Sequence, residues 1–258
     1  MNEINISKDD GELGTMGSAL VQHCPYCGCD RLIKNGSTRG VRKWQCKACG
    51  RQTSLRGDQV ETDRRKDQAR SEAVLLYLSG LSLNAIAVLK SVVPSTILRW
   101  VRQYAEERAT KPRPGPGGVI VMELDELWHF VGSKANKLWI WLALCRDTGQ
   151  LVDWQCGDRD QATLNTLLQR LQAWMVKLYC TDCYICYEQA LPVGKHYQGK
   201  EETWRLEQIN SRLRHWLARF RRRTLVVSKS VVMVDLTIAL FARSRINGSL
   251  QDLMPLAA

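Results

Sequence analysis

The sequence has 258 residues, which is enough for one large domain with one or two small ones, and its 45% hydrophobic content is typical of a globular protein. The net charge of +11 indicates a polyanionic partner, with nucleic acid as the first candidate and an anionic membrane surface as the second. No secretory signal and no membrane-spanning apolar stretch can be recognised. We therefore expect the ten cysteines to lie in a reducing compartment, buried or bound to metal rather than paired as disulfides.

The N-terminal part of the chain contains two pairs of cysteines. Residues 1–20 are polar and are predicted to be a disordered leader. Residues 21–56 then carry two C-x-x-C pairs, formed by Cys24, Cys27, Cys46 and Cys49. Gly28 and Gly50 follow the pairs, where a tight turn is needed. Four thiolates in two pairs can hold one Zn²⁺ in a tetrahedron, so the spacing predicts a four-cysteine zinc ribbon in which the metal is structural. A set of buried or free thiols is the alternative.

Residues 61–108 are predicted to form a helical DNA-binding domain. Gly80 ends a first helix, which starts at about residue 71, Ser82 caps a second, and Pro94 opens a third that carries basic residues. This is the pattern of a helix-turn-helix unit, whose last helix enters the major groove of DNA. A plain three-helix packing unit or a dimerisation element is the alternative. The residues expected to face DNA are Ser95, Thr96, Arg99 and Arg102.

A linker separates this unit from a region with a different pattern. Residues 109–118 (ATKPRPGPGG) contain too much proline and glycine for a helix or strand, so a domain boundary is predicted there. Residues 119–258 are predicted to form one α/β domain. Its expected elements are strands at 119–125, 138–145, 151–156 and 176–181, another strand near His196, and helices at 160–174 and 184–191, followed by a long helix that carries Glu207 and the arginines from Arg205 to Arg223. Three antiparallel strands, a helix, a parallel-type strand and further helices follow the order of a ribonuclease H-like fold.

Three carboxylates are candidates for one metal site. Asp125 ends the first strand of this domain, Asp182 follows the fourth, and Glu207 lies on an amphipathic helix whose same face carries Asn210 and Arg214. The first and fourth strands are neighbours in the predicted order, which would bring the two aspartates together. Such hard oxygen ligands suit two Mg²⁺ ions that promote phosphoryl transfer. Taken singly, each acidic residue is typical of an ordinary solvated charge.

Three further cysteines and one histidine are left without an assigned chemistry. Cys180, Cys183 and Cys186 imitate the C-x-x-C spacing, but they span a strand end and a helix start, so buried thiols are expected and a second zinc site is the alternative. His196 is compatible both with a phosphate contact and with an ordinary surface position. The apolar segment 224–258 is predicted to pack on the preceding domain, with Lys229 as a candidate DNA contact.

Several motifs together resemble those of the insertion sequence 1 family of transposases, which are DDE enzymes with a ribonuclease H-like core. They are ELDELWHFVG, CRDTGQLVDWQCGDRDQATL, YCTDCYICYE and WRLEQINSRLRHWLARFRRRTLVVSKSV, preceded by the C-x-x-C pairs and TILRW. By position, the resemblance implies that Asp125, Asp182 and Glu207 bind two catalytic Mg²⁺ ions and that Arg214 contacts a DNA phosphate. Other arginines of the Glu207 helix, Arg212 among them, are expected to neutralise phosphates.

The function implied by the resemblance is that of a DNA transposase. It would bind the terminal inverted repeats of an insertion sequence and catalyse metal-dependent end cleavage and strand transfer. The resemblance also implies double-stranded DNA as partner, at least a dimer on that DNA, no membrane, and a place in the nucleoid of a prokaryotic cytoplasm. Two rivals remain: a regulator that binds DNA without cutting it, and a structure-selective nuclease that cuts without joining.

Overall fold

The computed structural model describes residues 23–38, 41–53 and 57–253. The predicted disordered leader, residues 1–20, lies outside the described residues. The strands are β1 (Leu32–Thr38), β2 (Val41–Cys46), β3 (Gln52–Thr53), β4 (Val121–Phe130), β5 (Lys137–Cys145), β6 (Gln150–Gly157), β7 (Leu178–Thr181) and β8 (His196–Gln198). The helices are α1 (Gly57–Leu78), α2 (Leu83–Leu89), α3 (Pro94–Arg108), α4 (Gln161–Leu171), α5 (Ile185–Ala190), α6 (Trp204–Trp216) and α7 (Val231–Phe241).

The chain divides into two compact units, Met1–Lys66 and Asp67–Ala258. The first unit contains a small antiparallel sheet in the order β1-β2-β3. Gly28 and Gly50, which follow the two cysteine pairs, both have positive φ angles, +69° and +70°. Glycine tolerates that backbone conformation because it has no Cβ, so both pairs end in the tight turn that the sequence predicts.

The second unit is built on a five-stranded mixed sheet in the order β6-β5-β4-β7-β8. Strands β4, β5 and β6 are antiparallel neighbours, whereas β7 and β8 run parallel to β4. The prediction of a mixed α/β architecture with five strands is confirmed. Strand β5 is buried along most of its length because helices cover the sheet on both faces, with α6 and α7 on one side and α4 and α5 on the other.

Helices α1, α2 and α3 share a hydrophobic cluster with α7 and one face of the sheet. The Ser82 side chain accepts a hydrogen bond from the backbone N–H of Ala85 at 3.1 Å, so the predicted cap of α2 is present. Helix α1 begins at Gly57, and the predicted start near residue 71 is wrong. The charged stretch between them, ETDRRKDQAR, consists largely of good helix formers and continues the helix. A separate domain for these helices stays a prediction.

Helix α6 is shorter than predicted. It ends at Trp216, Leu217 has an extended backbone, and a 3₁₀ turn covers Ala218–Phe220, so the prediction of one helix reaching Arg223 is wrong. The periodic apolar side chains are nevertheless buried, since Leu217 is 1% and Phe220 5% exposed. Packing against the rest of the domain outweighs the helix preference of this segment, since Phe220 lies against the ring of His129, with centroids 4.7 Å apart.

The C-terminal segment packs on the sheet unit, as the sequence predicts. Helix α7 is largely buried, and the Asn247 side chain exchanges two hydrogen bonds with the backbone of Leu151, both 2.9 Å long. Across the described ranges no helix combines the length and the apolar character that crossing a bilayer would require.

Candidate active site and cysteine cluster

A gap in the sheet forms the candidate active site. Strand β7 pairs with β4 only as far as Glu123, and it ends at Thr181, whereas β4 continues to Phe130. Asp125 and Glu126 therefore lie on β4 where its β7 side is open, and Asp182 follows the end of β7. The prediction that Asp125 ends its strand is wrong, because β4 stays paired with β5 as far as Phe130. Successive strand residues point to opposite faces, yet at an open edge both side chains can turn into the gap. Carboxylate oxygens of Asp125, Glu126 and Asp182 all lie within 4.8 Å of one another.

Two of these carboxylates, Asp125 and Asp182, line a cleft of about 440 Å³. Its lining residues are Asp125, Arg159, Asp182, Cys183, Tyr184, Thr203 and Glu207. Glu207 is exposed in the first turn of α6 and lies outside the compact group of three. The structure thus places all three predicted carboxylates around one cleft, with Glu207 at longer range, and adds Glu126 to the group.

Asp125 is the most strongly perturbed carboxylate of the cleft. Burial raises its pKa to about 7, and the negative charges of Glu126, Asp182 and Glu207 contribute further. The Asn210 side-chain amide donates a hydrogen bond to Asp125 Oδ2 at 2.7 Å, which fixes the orientation of this carboxylate. A buried group of like charges is unfavourable unless a proton or a cation compensates it. Either a proton on Asp125 or a cation in the cleft can provide this compensation.

Glu126 is engaged by groups that the sequence pattern did not predict. Arg159 Nε donates to Glu126 Oε1 at 2.8 Å, and the Tyr187 hydroxyl donates to Oε2 at 2.9 Å. Burial raises the pKa of Glu126, and the Arg159 guanidinium opposes this. Arg159 is itself held over the rings of Tyr184 and Trp139, at 3.9 and 4.6 Å from their centroids. Both oxygens of Glu126 thus already have partners, unlike an open metal ligand.

Glu123, the other acidic residue near Asp125 in sequence, is buried in an ion pair outside the cleft lining. It is fully buried, and Arg146 Nε donates to one of its oxygens at 2.7 Å. Arg146 also donates to the carboxylate of Glu202 at 2.7 Å and to the carbonyl oxygen of the same residue at 2.6 Å. Glu123 therefore bridges β4 to the turn that leads into α6, away from the cleft lining.

Arg214 lies one turn beyond Asn210 on α6 and is half-buried. Burial lowers the pKa of its guanidinium, the charge of Arg222 adds to this, and the Asp125 carboxylate opposes it. The structure therefore places Arg214 within electrostatic reach of Asp125, on the helix face that the sequence indicated.

The four cysteines of the first unit form a second cluster. Cys24 Sγ is 3.7 Å from Cys49 Sγ, Cys27 Sγ is 3.6 Å from Cys46 Sγ, and all four sulfurs lie within 4.8 Å of one another. Sulfurs that surround Zn²⁺ tetrahedrally at about 2.3 Å are separated by roughly 3.8 Å, so the cluster fits that ion. Backbone N–H groups of Cys49 and Ala48 lower the pKa of Cys46 to about 6, whereas desolvation and the neighbouring sulfurs raise the pKa of Cys27 to about 12. Without a metal, the cluster therefore favours one thiolate beside protonated thiols.

The later cysteines only partly match their prediction. Cys180 and Cys186 are buried as expected, whereas Cys183 is exposed and lines the cleft. Among the described residues these three form no metal-ligand group. His196 lies on β8, where its Nε2 and the Thr181 hydroxyl share a hydrogen bond of 2.8 Å, next to Asp182.

The residues predicted to bind DNA occupy the surface of the second unit. On α3, Ser95, Arg99 and Arg102 are exposed, and Thr96 is half-buried. Arg212 is also exposed, but its guanidinium donates to the carbonyl oxygen of Arg245. Lys229 is exposed in the segment before α7.

Comparisons with known proteins identify one family. A family model described as IS1 transposase matches residues 118–246. The insertion element iso-IS1n protein InsB of Shigella dysenteriae is 35% identical over 122 residues, 47% of this chain and 93% of the relative. The insertion element IS1 4 protein InsB of Escherichia coli (strain K12) is 36% identical over 126 residues, 49% of this chain and 75% of the relative.

Among solved structures, the cryoEM structure of the simian T-cell lymphotropic virus intasome in complex with PP2A regulatory subunit B56 gamma contains a similar chain. The match covers 69% of this chain and 75% of that chain, with 13% identity and a TM-score of 0.36, too low a similarity to carry an argument.

Proposed function

The chain belongs to the IS1 transposase family, and on that premise we propose that it binds the terminal inverted repeats of an insertion sequence, cleaves the DNA ends and joins them to target DNA. One observation carries the proposal: the family match spans residues 118–246, and the three predicted carboxylates, all inside that range, surround one cleft. A protein that only binds DNA has no use for three carboxylates that converge on one cleft.

The strand order supports a ribonuclease H-like catalytic domain. If the strands of the second unit are numbered 1 to 5 along the chain, from β4 to β8, their order in the sheet is 3-2-1-4-5. Strands 1, 2 and 3 are antiparallel neighbours, and strands 4 and 5 run parallel to strand 1. We propose the domain layout accordingly: a zinc ribbon at 21–56, a helix-turn-helix unit at 61–108, a linker at 109–118 and the catalytic domain at 119–258.

The cleft suits Mg²⁺ because its ligands are hard oxygens, grouped closely and partly buried. We propose Asp125, Asp182 and Glu207 as the residues that hold two such ions, which when bound would activate the attacking oxygen and stabilise the leaving one. Asn210 orients Asp125 by donating a hydrogen bond to its Oδ2 atom. Arg159 lines the cleft and offers a fixed positive charge for a phosphate.

We propose that the exposed cations of the second unit hold DNA by its phosphates and that α3 reads its bases. The residues assigned to DNA are Ser95, Thr96, Arg99, Arg102, Arg212 and Arg214. Neutralising phosphates releases counterions, so binding should weaken steeply as salt rises. Because two element ends must be processed together, we propose at least a dimer on the DNA. We propose the nucleoid of a prokaryotic cytoplasm as its location. The cysteine cluster is proposed to hold a structural Zn²⁺, since four thiolates leave no open position for catalysis.

The test is transposition in cells of a marker flanked by the element's own ends. Glu207→Gln keeps the size of the side chain and removes its charge, so it should abolish movement at matched protein level. Glu201→Gln is the matched control, because Glu201 is an exposed carboxylate just before α6 that lies outside the cleft lining. Equal activity of both variants would remove Glu207 from the proposed site.

The same ends distinguish the rival functions in vitro. A transposase binds, cuts and joins them; a regulator binds them without cutting, and a structure-selective nuclease cuts without joining. Binding by the wild-type chain with no cleavage product in Mg²⁺ would overturn the catalytic proposal.

A further inference from the structure

A second and larger cavity lies away from the carboxylate cleft, in a groove of about 830 Å³ beside α3. One wall comes from α3 and from the turn between α1 and α2, and the other from the segment 225–230 that precedes α7. We call it the α3 groove. Its volume is within the usual range for a small-ligand site.

A buried arginine with two unpaired donor atoms lies at this groove. Arg219 lines it and is only 7% exposed. Its Nε and Nη1 atoms are buried and have no hydrogen-bond partner among the residues that the structure describes. The nearby Tyr77 offers its ring at 5.6 Å, while the Tyr77 hydroxyl is already bonded to Thr237. Leaving guanidinium donors unpaired is costly, so an acceptor that enters the groove would be bound favourably.

The charge of the groove points to an anionic ligand. Two further cations, Arg102 and Lys229, line it and are exposed, and no aspartate or glutamate is among its lining residues. The walls between these cations are apolar, with Leu98, Leu225 and Val227 all exposed. A ligand that fits must therefore combine an anionic group with a flat or apolar part.

We propose that the α3 groove binds one unpaired nucleotide of a DNA strand, with its phosphate on Arg219 and its base against the apolar wall. The proposal rests on the proposed function, because that function brings DNA to α3. An unpaired nucleotide is required because the phosphates of an intact duplex stay on the outside of a wide rod and do not reach a guanidinium that is 7% exposed. Sites for single-stranded nucleic acid combine cations along the backbone with side chains, usually aromatic, that cover the bases. In the α3 groove the exposed side chains of Leu98, Leu225 and Val227 would cover the base.

The test compares the affinity of the full-length chain for two fluorescent DNAs by anisotropy, in EDTA so that no cleavage occurs. One is a blunt duplex, and the other is the same duplex with a short unpaired tail. We expect the wild-type chain to bind the tailed DNA about tenfold more tightly. The double variant Leu225→Ser with Lys229→Gln changes two exposed residues, so the fold should persist, and the ratio should fall to about one.

The control variant is Lys177→Gln, which removes an exposed charge at the start of β7, outside the groove, and should keep the wild-type ratio. Arg219→Gln should also abolish the preference, with its fold checked by thermal melting. Equal binding of both DNAs by the wild type, or a preference that survives in the double variant, would overturn the proposal.

An acidic peptide that binds with the same dependence on Leu225 and Lys229, with no preference for the tail, would point to a protein partner instead. Because the ratio is measured without cleavage, an inactive cleft leaves it unchanged. A wild-type chain that binds neither DNA would overturn the proposed function as well.

Discussion

The two candidate metal sites of this chain are built in opposite ways. The cysteine cluster takes its ligands from two short motifs within 26 residues, and its sulfurs already approach tetrahedral spacing. The carboxylate cleft takes Asp125 from the middle of β4, Asp182 from the end of β7 and Glu207 from α6, and only two of these lie in the compact group. A closed set of soft ligands suits a structural ion, whereas an open set of hard ligands leaves room for a substrate.

The largest expected effect follows from removal of the cysteine cluster. Among the described side chains of the first unit only Cys24, Cys46 and Thr53 are buried, so this unit has almost no core without a metal. Cys46→Ser or a chelator should unfold the first unit, while the second unit keeps its own core. Zinc content and limited proteolysis check this. Cys29→Ser is the control, because Cys29 lies close in sequence but outside the group of four cysteines. A Cys46→Ser chain that retains stoichiometric zinc would contradict the assignment of the cysteine cluster as a structural metal site.

Next in size is the loss of a cleft carboxylate. Asp182→Asn keeps the shape of the side chain and its bond to the Tyr184 amide, but removes a charge that is proposed to bind metal. End cleavage should fall by about three orders of magnitude, equivalent to roughly 4 kcal/mol in the barrier. Cleavage of a labelled element end measures it, and Glu201→Gln should remain as active as the wild type. A loss below tenfold would mean that Asp182 is no ligand.

A smaller effect is expected from pH. The pKa of Asp125 is raised to about 7, so below that pH a proton occupies the carboxylate and competes with the metal. The apparent Mg²⁺ affinity should weaken by about tenfold per pH unit below 7 and become flat above it. Titration of the melting temperature with Mg²⁺ at several pH values tests this. In Asp125→Asn the slope should vanish, and an unchanged slope would assign the proton to another group.

The smallest effect is expected from Glu126→Gln. Both Glu126 oxygens are already bonded, to Arg159 and Tyr187, so the substitution should change Mg²⁺ affinity by less than about threefold. The same titration of the melting temperature, with Asp182→Asn for comparison, decides the point. If the two variants lose equal affinity, Glu126 is a ligand, and the compact group of three is the metal site.

Local patterns predicted the parts of the molecule in which neighbours in sequence are neighbours in space. The turns after the cysteine pairs, the Ser82 cap and the alternation of strands and helices all follow from residue type and spacing. Placing Asp125 and Asp182 at one edge additionally required a topology, and the strand order supplied it.

Long-range partners were beyond the reach of sequence patterns. Arg159 meets Glu126 across 33 positions and Arg146 meets Glu202 across 56, and nothing in their local sequence marks either arginine. The end of α6 was missed for a similar reason. Leu217 is compatible with a helix, and it is the packing of Phe220 on His129 that favours the extended turn.

Arg146 connects the two elements that carry the cleft carboxylates, β4 and the turn before α6. It donates hydrogen bonds to Glu123, two residues before Asp125, and to Glu202, five residues before Glu207. The distance between Asp125 and Glu207 is therefore set in part by a side chain that lies outside the cleft lining. A shorter side chain at position 146 would change this distance without altering any proposed ligand, and compensating substitutions in the turn before α6 could restore it.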